Sequence, residues 1–518
     1  MSLLQKIPKN LLLKYTEKYF SKNNKNPYIV LFLLTVVWFV WWHAKNPSPD
    51  GYQNEYLHVG NAFDLWEALV AGDIRLVRWL MYTGYWPFGF YMLAWPTLIF
   101  GMSYHSLLAT NILLLGLLVL MFYRYKQLRA LSLLLLCPGV LGSLLRYEPN
   151  FANMVFLAIG IFALQKEGLA NRKRALLWGC ALGVGLMVDR LTLLFFLVPA
   201  ALPALYAASR ETWKNFALGT GTALLITVAY YREFFLRHMA EIMPQASRGE
   251  IDSAGMLENI ENPIPQLYYL FSLLDSQAGI WIGGFMVVQL GMVLVLKKSK
   301  SEWILIFAFL PALVFFSLLT KKQVFYTLPA LVPLALLCSR FRLALPFVLA
   351  ASFVSFLSSG CGLHSWGTAV FPSSWVSPQH TLIRPPTFEQ WPYEKMFATV
   401  EGSPKEILVL SQDHQLYEGF LILRVREAFP HAKVRGVVLD PIGSMEFFRE
   451  IDHFVWMGPA ESTWPTVGGI QAELISDHYD ITALPDIAKK LAQAQNRYQE
   501  KFSQPAGNGV LHLFSRKP

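Results

Sequence analysis

Two acids, Asp50 and Glu55, stand in the polar segment after the first long apolar run, with Asn54, His58 and Asp64 close by. A carboxylate placed there can take the proton from an acceptor hydroxyl during transfer; it can also be merely solvated. A second group, Arg146-Tyr147-Glu148-Pro149-Asn150, lies between two apolar runs. Further cations are Arg190, directly after Asp189, and the pair Lys321-Lys322. Arginine and lysine hold phosphate oxygens and stabilise the charge that develops on a departing phosphate. In that role Arg146, Lys321, Lys322 and, more weakly, Arg190 would bind a donor phosphate. Glu148 would orient an outer-face arginine or the acceptor. Structural readings stand beside these. Arg146 and Glu148 can be a snorkelling interfacial pair, Asp189 and Arg190 an ion pair at a helix junction, and Lys321-Lys322 an interfacial anchor. His43, His58 and His238 lack metal-ligand spacing. No metal and no cofactor is expected, since nothing in the spacing supports a divalent ion between the outer-loop carboxylates.

The elements that must position these groups are apolar. The 518 residues are 54% hydrophobic and 15% charged, against about 25% charged in soluble domains. Mean hydropathy is +0.37. Runs of membrane-spanning length recur from Tyr28 to about Leu357. The net charge of +9 does not point to nucleic acid, because the cations cluster in short loops between apolar runs. Cys137, Cys180, Cys338 and Cys361 show no CxxC spacing. The first three lie in apolar runs and read as buried thiols.

Topology follows from the charges. The arm with Lys6, Lys9, Lys14, Lys18, Lys22 and Lys25 reads as cytoplasmic, and so do the basic loops near Arg124, Arg172, Arg210, Lys297 and Arg340. About eleven spans satisfy this parity: 28–44, 106–123, 130–145, 151–165, 175–189, 191–207, 216–233, 278–296, 303–320, 324–338 and 343–358. The segment Trp86–Gly101 is then a short interfacial or re-entrant helix. All the candidate groups fall on the outer side, including a long loop from about Glu233 to Ser276. Charges at membrane depth usually line a wet cavity or substrate path. The fold class is an all-α polytopic membrane domain followed by a small extracytoplasmic α/β domain. Its parts are a basic arm (1–27), a membrane domain (28–358) with a long first outer loop (45–105), a linker (359–384) and the α/β domain (385–518). In the last part Ile407–Leu410, Val434–Leu439, His453–Trp456 and Val510–Phe514 read as strands. Leu416–Ala428 and Pro485–Phe502 read as helices.

Four stretches, in order, resemble the GT-C-fold membrane glycosyltransferases, in particular bacterial relatives of protein O-mannosyltransferases and aminoarabinose transferases. Asn54-Glu55-Tyr56-Leu57-His58-Val59-Gly60-Asn61-Ala62 is similar to the acidic motif and its following helix. Tyr85-Trp86-Pro87-Phe88 is similar to the Tyr-Pro-Pro element. Arg146 to Asn150 resembles the Arg-x-x-x-Asp turn. Leu319 to Leu331 resembles the lysine turn and the Tyr-x-Leu-Pro-Ala-Leu helix. The resemblance covers roughly residues 28–358. It implies a polyprenyl-phosphate sugar donor, an inverting transfer, and an acceptor that is protein, lipid or glycan. Two positions depart from the pattern. Asn54 and Asn150 stand where the family has acids, and an amide cannot act as a base. The base is then Glu55 or Asp50, or the chain is a non-catalytic assembly partner. A transporter or flippase of a lipid-linked intermediate is the other rival, for which paired broken helices would be the sign.

Overall fold

The computed structural model describes residues 26–45, 53–83, 88–101, 103–165, 168–189, 192–206, 208–248, 267–295, 298–318, 326–341, 344–360 and 371. In the C-terminal part it describes 392–400, 402–411, 424–426, 428–429, 432–436, 452–458, 495–506 and 509–517. The chain forms two compact units. The first comprises residues up to Trp42, Arg75–Leu93 and Ala109–Pro385; the second comprises His43–Ile74, Ala94–Leu108 and Pro386–Pro518.

The helices, in chain order, are α1 (Asn26–Lys45), α2 (Gln53–Val70), α3 (Ile74–Thr83), α4 (Gly89–Leu93), α5 (Trp95–Leu98), α6 (Tyr104–Arg124), α7 (Leu128–Leu135), α8 (Pro138–Leu144), α9 (Pro149–Leu164) and α10 (Arg172–Val188). They continue with α11 (Leu194–Leu205), α12 (Arg210–Arg248), α13 (Tyr268–Ser272), α14 (Gly279–Val295), α15 (Lys300–Phe307), α16 (Leu310–Leu318), α17 (Leu331–Cys338), α18 (Leu345–Gly360) and α19 (Tyr393–Phe397). Every apolar run expected to span has a helical counterpart. Among the described residues two stretches, Tyr104–Arg124 and Lys300–Leu318, are long and apolar enough to cross a membrane alone. A third, α8 with α9, qualifies only as a pair bent by 116°. The remaining apolar helices are shorter.

The helices turn apolar side chains outward as well as inward. Leu113, Leu120, Leu224, Leu225, Val228, Val288 and Val295 are exposed. So large an apolar exterior is costly in water and natural in lipid. The close helix pair α10–α12 shows what holds such a bundle without a hydrophobic drive between helices. A Cβ on Gly179 would strike the Gly219 backbone, and one on Gly183 would press on Ala223 and Ile226. Small residues every four positions let the backbones approach and gain dispersion contact.

Several sequence expectations change. The run 130–145 is broken at Pro138, which opens α8 as its first residue. The segment 86–101 forms the short helices α4 and α5 rather than one. The run from Glu233 is not loop at first: α12 continues to Arg248, 39 residues in all. Cys180 is exposed on α10, whereas Cys137 and Cys338 are buried.

In the second unit five strands form a sheet in the order β2-β1-β3-β5-β4. They are β1 (Glu406–Ser411), β2 (Lys433–Gly436), β3 (His453–Gly458), β4 (Tyr498–Ala506) and β5 (Gly509–Arg516). β1 pairs parallel with β2 and β3, while β5 runs antiparallel to β3 and β4. Period-2 alternation sends Ile407, Val409, Val455, Leu511 and Leu513 to one face, where Met396 and Val425 pack on them. Strand β4 takes residues 498–502, which the sequence pattern assigned to a helix. It is a polar edge strand with a bulge between Glu500 and Phe502.

Candidate functional site

Buried polar residues of the first unit gather at the turn between α8 and α9. Pro149 is the first residue of α9, which forces Glu148 into an extended conformation (φ −133°, ψ 154°). The turn would leave the last carbonyls of α8 unpaired in an apolar setting. Asn111, from the middle of α6, supplies the donors. Its Nδ2 donates to Leu144 O at 2.9 Å and to Arg146 O at 2.7 Å. Tyr147 is fully buried and stacks on Phe90 of α4 with ring centroids 4.6 Å apart. Gly89 permits that seat, because a Cβ there would lie 2.5 Å from Met187 O near the end of α10.

Arg146, Glu148 and Asn150 are all buried. Asn150 Nδ2 donates to Glu148 Oε2 at 2.8 Å, and the Arg146 charge acts on the same carboxylate. One turn along α9, Asn153 Nδ2 donates to Asp189 Oδ2 at 2.7 Å. Asp189 is the extended residue that ends α10. Carbonyls and carboxylates can only accept, so these contacts fix the amide orientations of Asn111, Asn150 and Asn153. They leave Asn111 Oδ1, Asn153 Oδ1 and Glu148 Oε1 as buried acceptors without a hydrogen-bond donor among the described residues. A cluster of this kind suits a ligand that brings hydroxyl or amine donors.

A second buried polar group follows α13. There a π-turn, Leu273–Gln277, buries Asp275, Ser276 and Gln277. Gln277 Nε2 donates to Thr327 Oγ1 at 2.8 Å, and Asp275 Oδ2 accepts from Phe371 N at 3.3 Å. Such π-turns mark functional positions in helices more often than chance.

No protein-family model and no curated protein matches the chain. The solved structures do. The chain shares its fold with ArnT. The apo crystal structure of ArnT from Cupriavidus metallidurans aligns at TM-score 0.55 and 14% identity, covering 95% of this chain and 98% of that one. The structure of ArnT from the same organism bound to undecaprenyl phosphate aligns at TM-score 0.52 and 12% identity, over 94% and 98%. The GT-C-like fold expected from the motifs is therefore met, in a mostly helical chain with a small sheet whose fold resembles that of ArnT.

Of the residues singled out in the sequence, Arg146 and Glu148 come together in the buried turn. His58 is buried on α2. Asn54 and Glu55 lie on the first turn of α2, and the positions of their side chains fall outside what is described. Asp50, Arg190, Lys321 and Lys322 lie outside the described residues. Asp189, read as the partner of Arg190, takes Asn153 as a donor. Among the described residues no three His, Cys, Asp or Glu side chains gather as metal ligands. Sequence reading missed Asn111, Asn153 and Asp275. Their only signal is a lone polar side chain inside or beside an apolar run, where it is costly unless bonded.

Proposed function

We propose that this protein is an inverting glycosyltransferase of the GT-C type. It moves a sugar from a polyprenyl-phosphate carrier to an acceptor outside the cytoplasm. The observation that carries the reading is the fold shared with ArnT over nearly the whole chain, one ArnT structure holding undecaprenyl phosphate. The buried turn at Arg146–Asn150 agrees with it, because a sugar supplies the hydroxyl donors that its open acceptors lack. In this reading the chain crosses the inner membrane about eleven times, with the N-terminus cytoplasmic and the sheet domain outside.

Glu55 or Asp50 takes the proton from the acceptor hydroxyl as it attacks the anomeric carbon. The bond to the carrier phosphate breaks on the opposite face. Arg146, Lys321 and Lys322, with Arg190 more weakly, stabilise the departing phosphate. Glu148 orients Arg146 or the acceptor, and Asn54 and His58 also serve to bind or orient the acceptor. No metal is required for these steps.

The test is incubation of the purified protein with a panel of polyprenyl-phosphate sugars, followed by measurement of released carrier. Donor-dependent release, lost in Glu55→Gln and kept in Asp50→Asn, identifies Glu55 as the base; the reverse identifies Asp50. Absence of release with every donor defeats the transferase reading and favours a non-catalytic partner, for which the amides at Asn54 and Asn150 speak.

A further inference from the structure

Helix α11 contains Pro199 and Pro203. A proline lacks the backbone donor and crowds the preceding turn, so carbonyls inside α11 lose their usual partners before the helix ends at Leu205. Nearby, α15 starts under a capping box. Glu302 N donates to Ser299 Oγ at 3.3 Å, and Ser299 N donates to Glu302 Oε2 at 2.6 Å. Lys300 Nζ donates to Ala204 O at 3.3 Å and ties the two helix ends together. Between them lies a cavity of about 560 Å³ lined by Leu202, Pro203, Tyr206, Lys300, Trp303 and Phe307. That falls within the roughly 300–1,000 Å³ of small-molecule sites.

The walls and the rim differ in chemistry. The walls are apolar and aromatic, with Leu202, Tyr206 and Trp303 open to the exterior. The rim is cationic. Lys298 Nζ sits 5.3 Å from the centroid of the Trp303 ring. Lys300 is exposed and spends one of three donors on Ala204. Glu302, in the capping box beside Lys300, is engaged by Ser299 and by Arg340 Nη1 at 2.6 Å. An apolar trough with lysines at one end matches an acyl chain that carries a phosphate at its head.

We infer that this groove binds an anionic phospholipid of the surrounding membrane. A water-soluble anion would leave the apolar walls wet, and a neutral lipid would place no anion beside the Lys300 ammonium, which keeps donors beyond the one given to Ala204. The site is separate from the one proposed for transfer. Helix α11 begins just beyond Asp189 and ends at the groove, and its 12 residues put about 18 Å between the two ends.

Native mass spectrometry of the full-length protein, offered phosphatidylglycerol and phosphatidylcholine at equal concentration, tests this. Phosphatidylglycerol is expected to be retained in preference. Lys298→Gln with Lys300→Gln should weaken it about fivefold per lysine, and about 25-fold together if the effects add. Arg172→Gln with Lys173→Gln, in another basic loop, should leave retention unchanged. Equal retention of the two lipids, or an equal loss in the control pair, overturns the proposal. The unsubstituted protein gives a second measurement, free of folding effects. Phosphatidylglycerol with a photoreactive acyl chain should label Leu202, Tyr206, Trp303 or Phe307, and labelling confined to other helices overturns the proposal too.

Discussion

Asn153 donates its amide to the Asp189 carboxylate at 2.7 Å, and so joins the first turns of α9 to the end of α10. Both residues are buried. A buried carboxylate persists only where donors replace its water. Replacing Asn153 with Leu keeps the branched shape and removes that donor. Hydrogen bonds to charged groups contribute about 1.5–3 kcal/mol, and Asn153→Leu should lower stability by about that much. Thermal unfolding in detergent measures it. An unchanged midpoint would mean that Asp189 draws its stabilisation from its other partners.

The amide at Asn150 has a local cause. Its Nδ2 sits 2.8 Å from Glu148 Oε2, so an acid at 150 would set two carboxylates against each other. Like charges at that separation cannot both ionise without cost. Asn150→Asp should therefore destabilise the protein, and adding Glu148→Gln should recover part of the loss by exchanging amide and acid. The coupling between the two changes should fall in the range of about 0.5–3 kcal/mol. Strict additivity in the double-mutant cycle would refute the explanation.

Asn111 satisfies two carbonyls of the turn from a helix distant in sequence. Asn111→Leu would strand both, at about 1–3 kcal/mol for each buried group left unpaired. The turn carries Arg146 and Glu148, so carrier release should fall with stability. Release at full rate from a destabilised Asn111→Leu protein would show that the turn does not serve the reaction.

How far these features could be read beforehand depends on how locally they are encoded. The helices were legible because lipid-facing and core positions are both apolar, which leaves long runs. Strands β1, β2, β3 and β5 were legible from β-branched and aromatic alternation. Strand β4 was not, because Tyr498–Ala506 is polar and contains Pro505, as suits an edge. The extension of α12 past Glu233 was hidden for the opposite reason: its charged residues read as loop, while helix propensity carried on. In the site, Arg146 and Glu148 were visible as charges between apolar runs. Asn111 was not, since its role is set by carbonyls 33 and 35 positions away.

The contact of α10 with α12 gives a packing prediction. Gly179 faces the Gly219 backbone with no room for a methyl group, and Ala175 O is 2.6 Å from where a Cβ on Gly219 would stand. Gly219→Ala should cost about 1–3 kcal/mol through forced separation of the helices. Gly221→Ala, with nothing within 4 Å of its Cβ, is the matched control on the same helix and should be neutral or slightly stabilising. Equal unfolding midpoints for the two variants would remove close backbone approach as the reason for glycine at 219.

Within the second unit, Arg426 Nη1 lies 2.9 Å from Asp64 Oδ1 of α2, and Glu67 on the next turn also feels the Arg426 charge. This joins a helix near the N-terminus to the sheet domain across more than three hundred residues of chain. Burial pushes the Glu67 carboxyl above its usual value, opposed by Arg426 and reinforced by Asp64. The sign of the linkage follows. A carboxyl raised in the folded state binds its proton more tightly there, so stability is highest below the unfolded value and declines as pH rises through the folded one. Arg426→Gln removes the opposing charge, so it should steepen that decline. Loss of the partly buried pair itself should cost about 1 kcal/mol at neutral pH. Melting curves of Arg426→Gln, Glu67→Gln and the double variant between acid and neutral pH check both parts. A decline of the same slope in all of them would separate Glu67 from Arg426 and leave the ion pair with Asp64 as the whole of the contact.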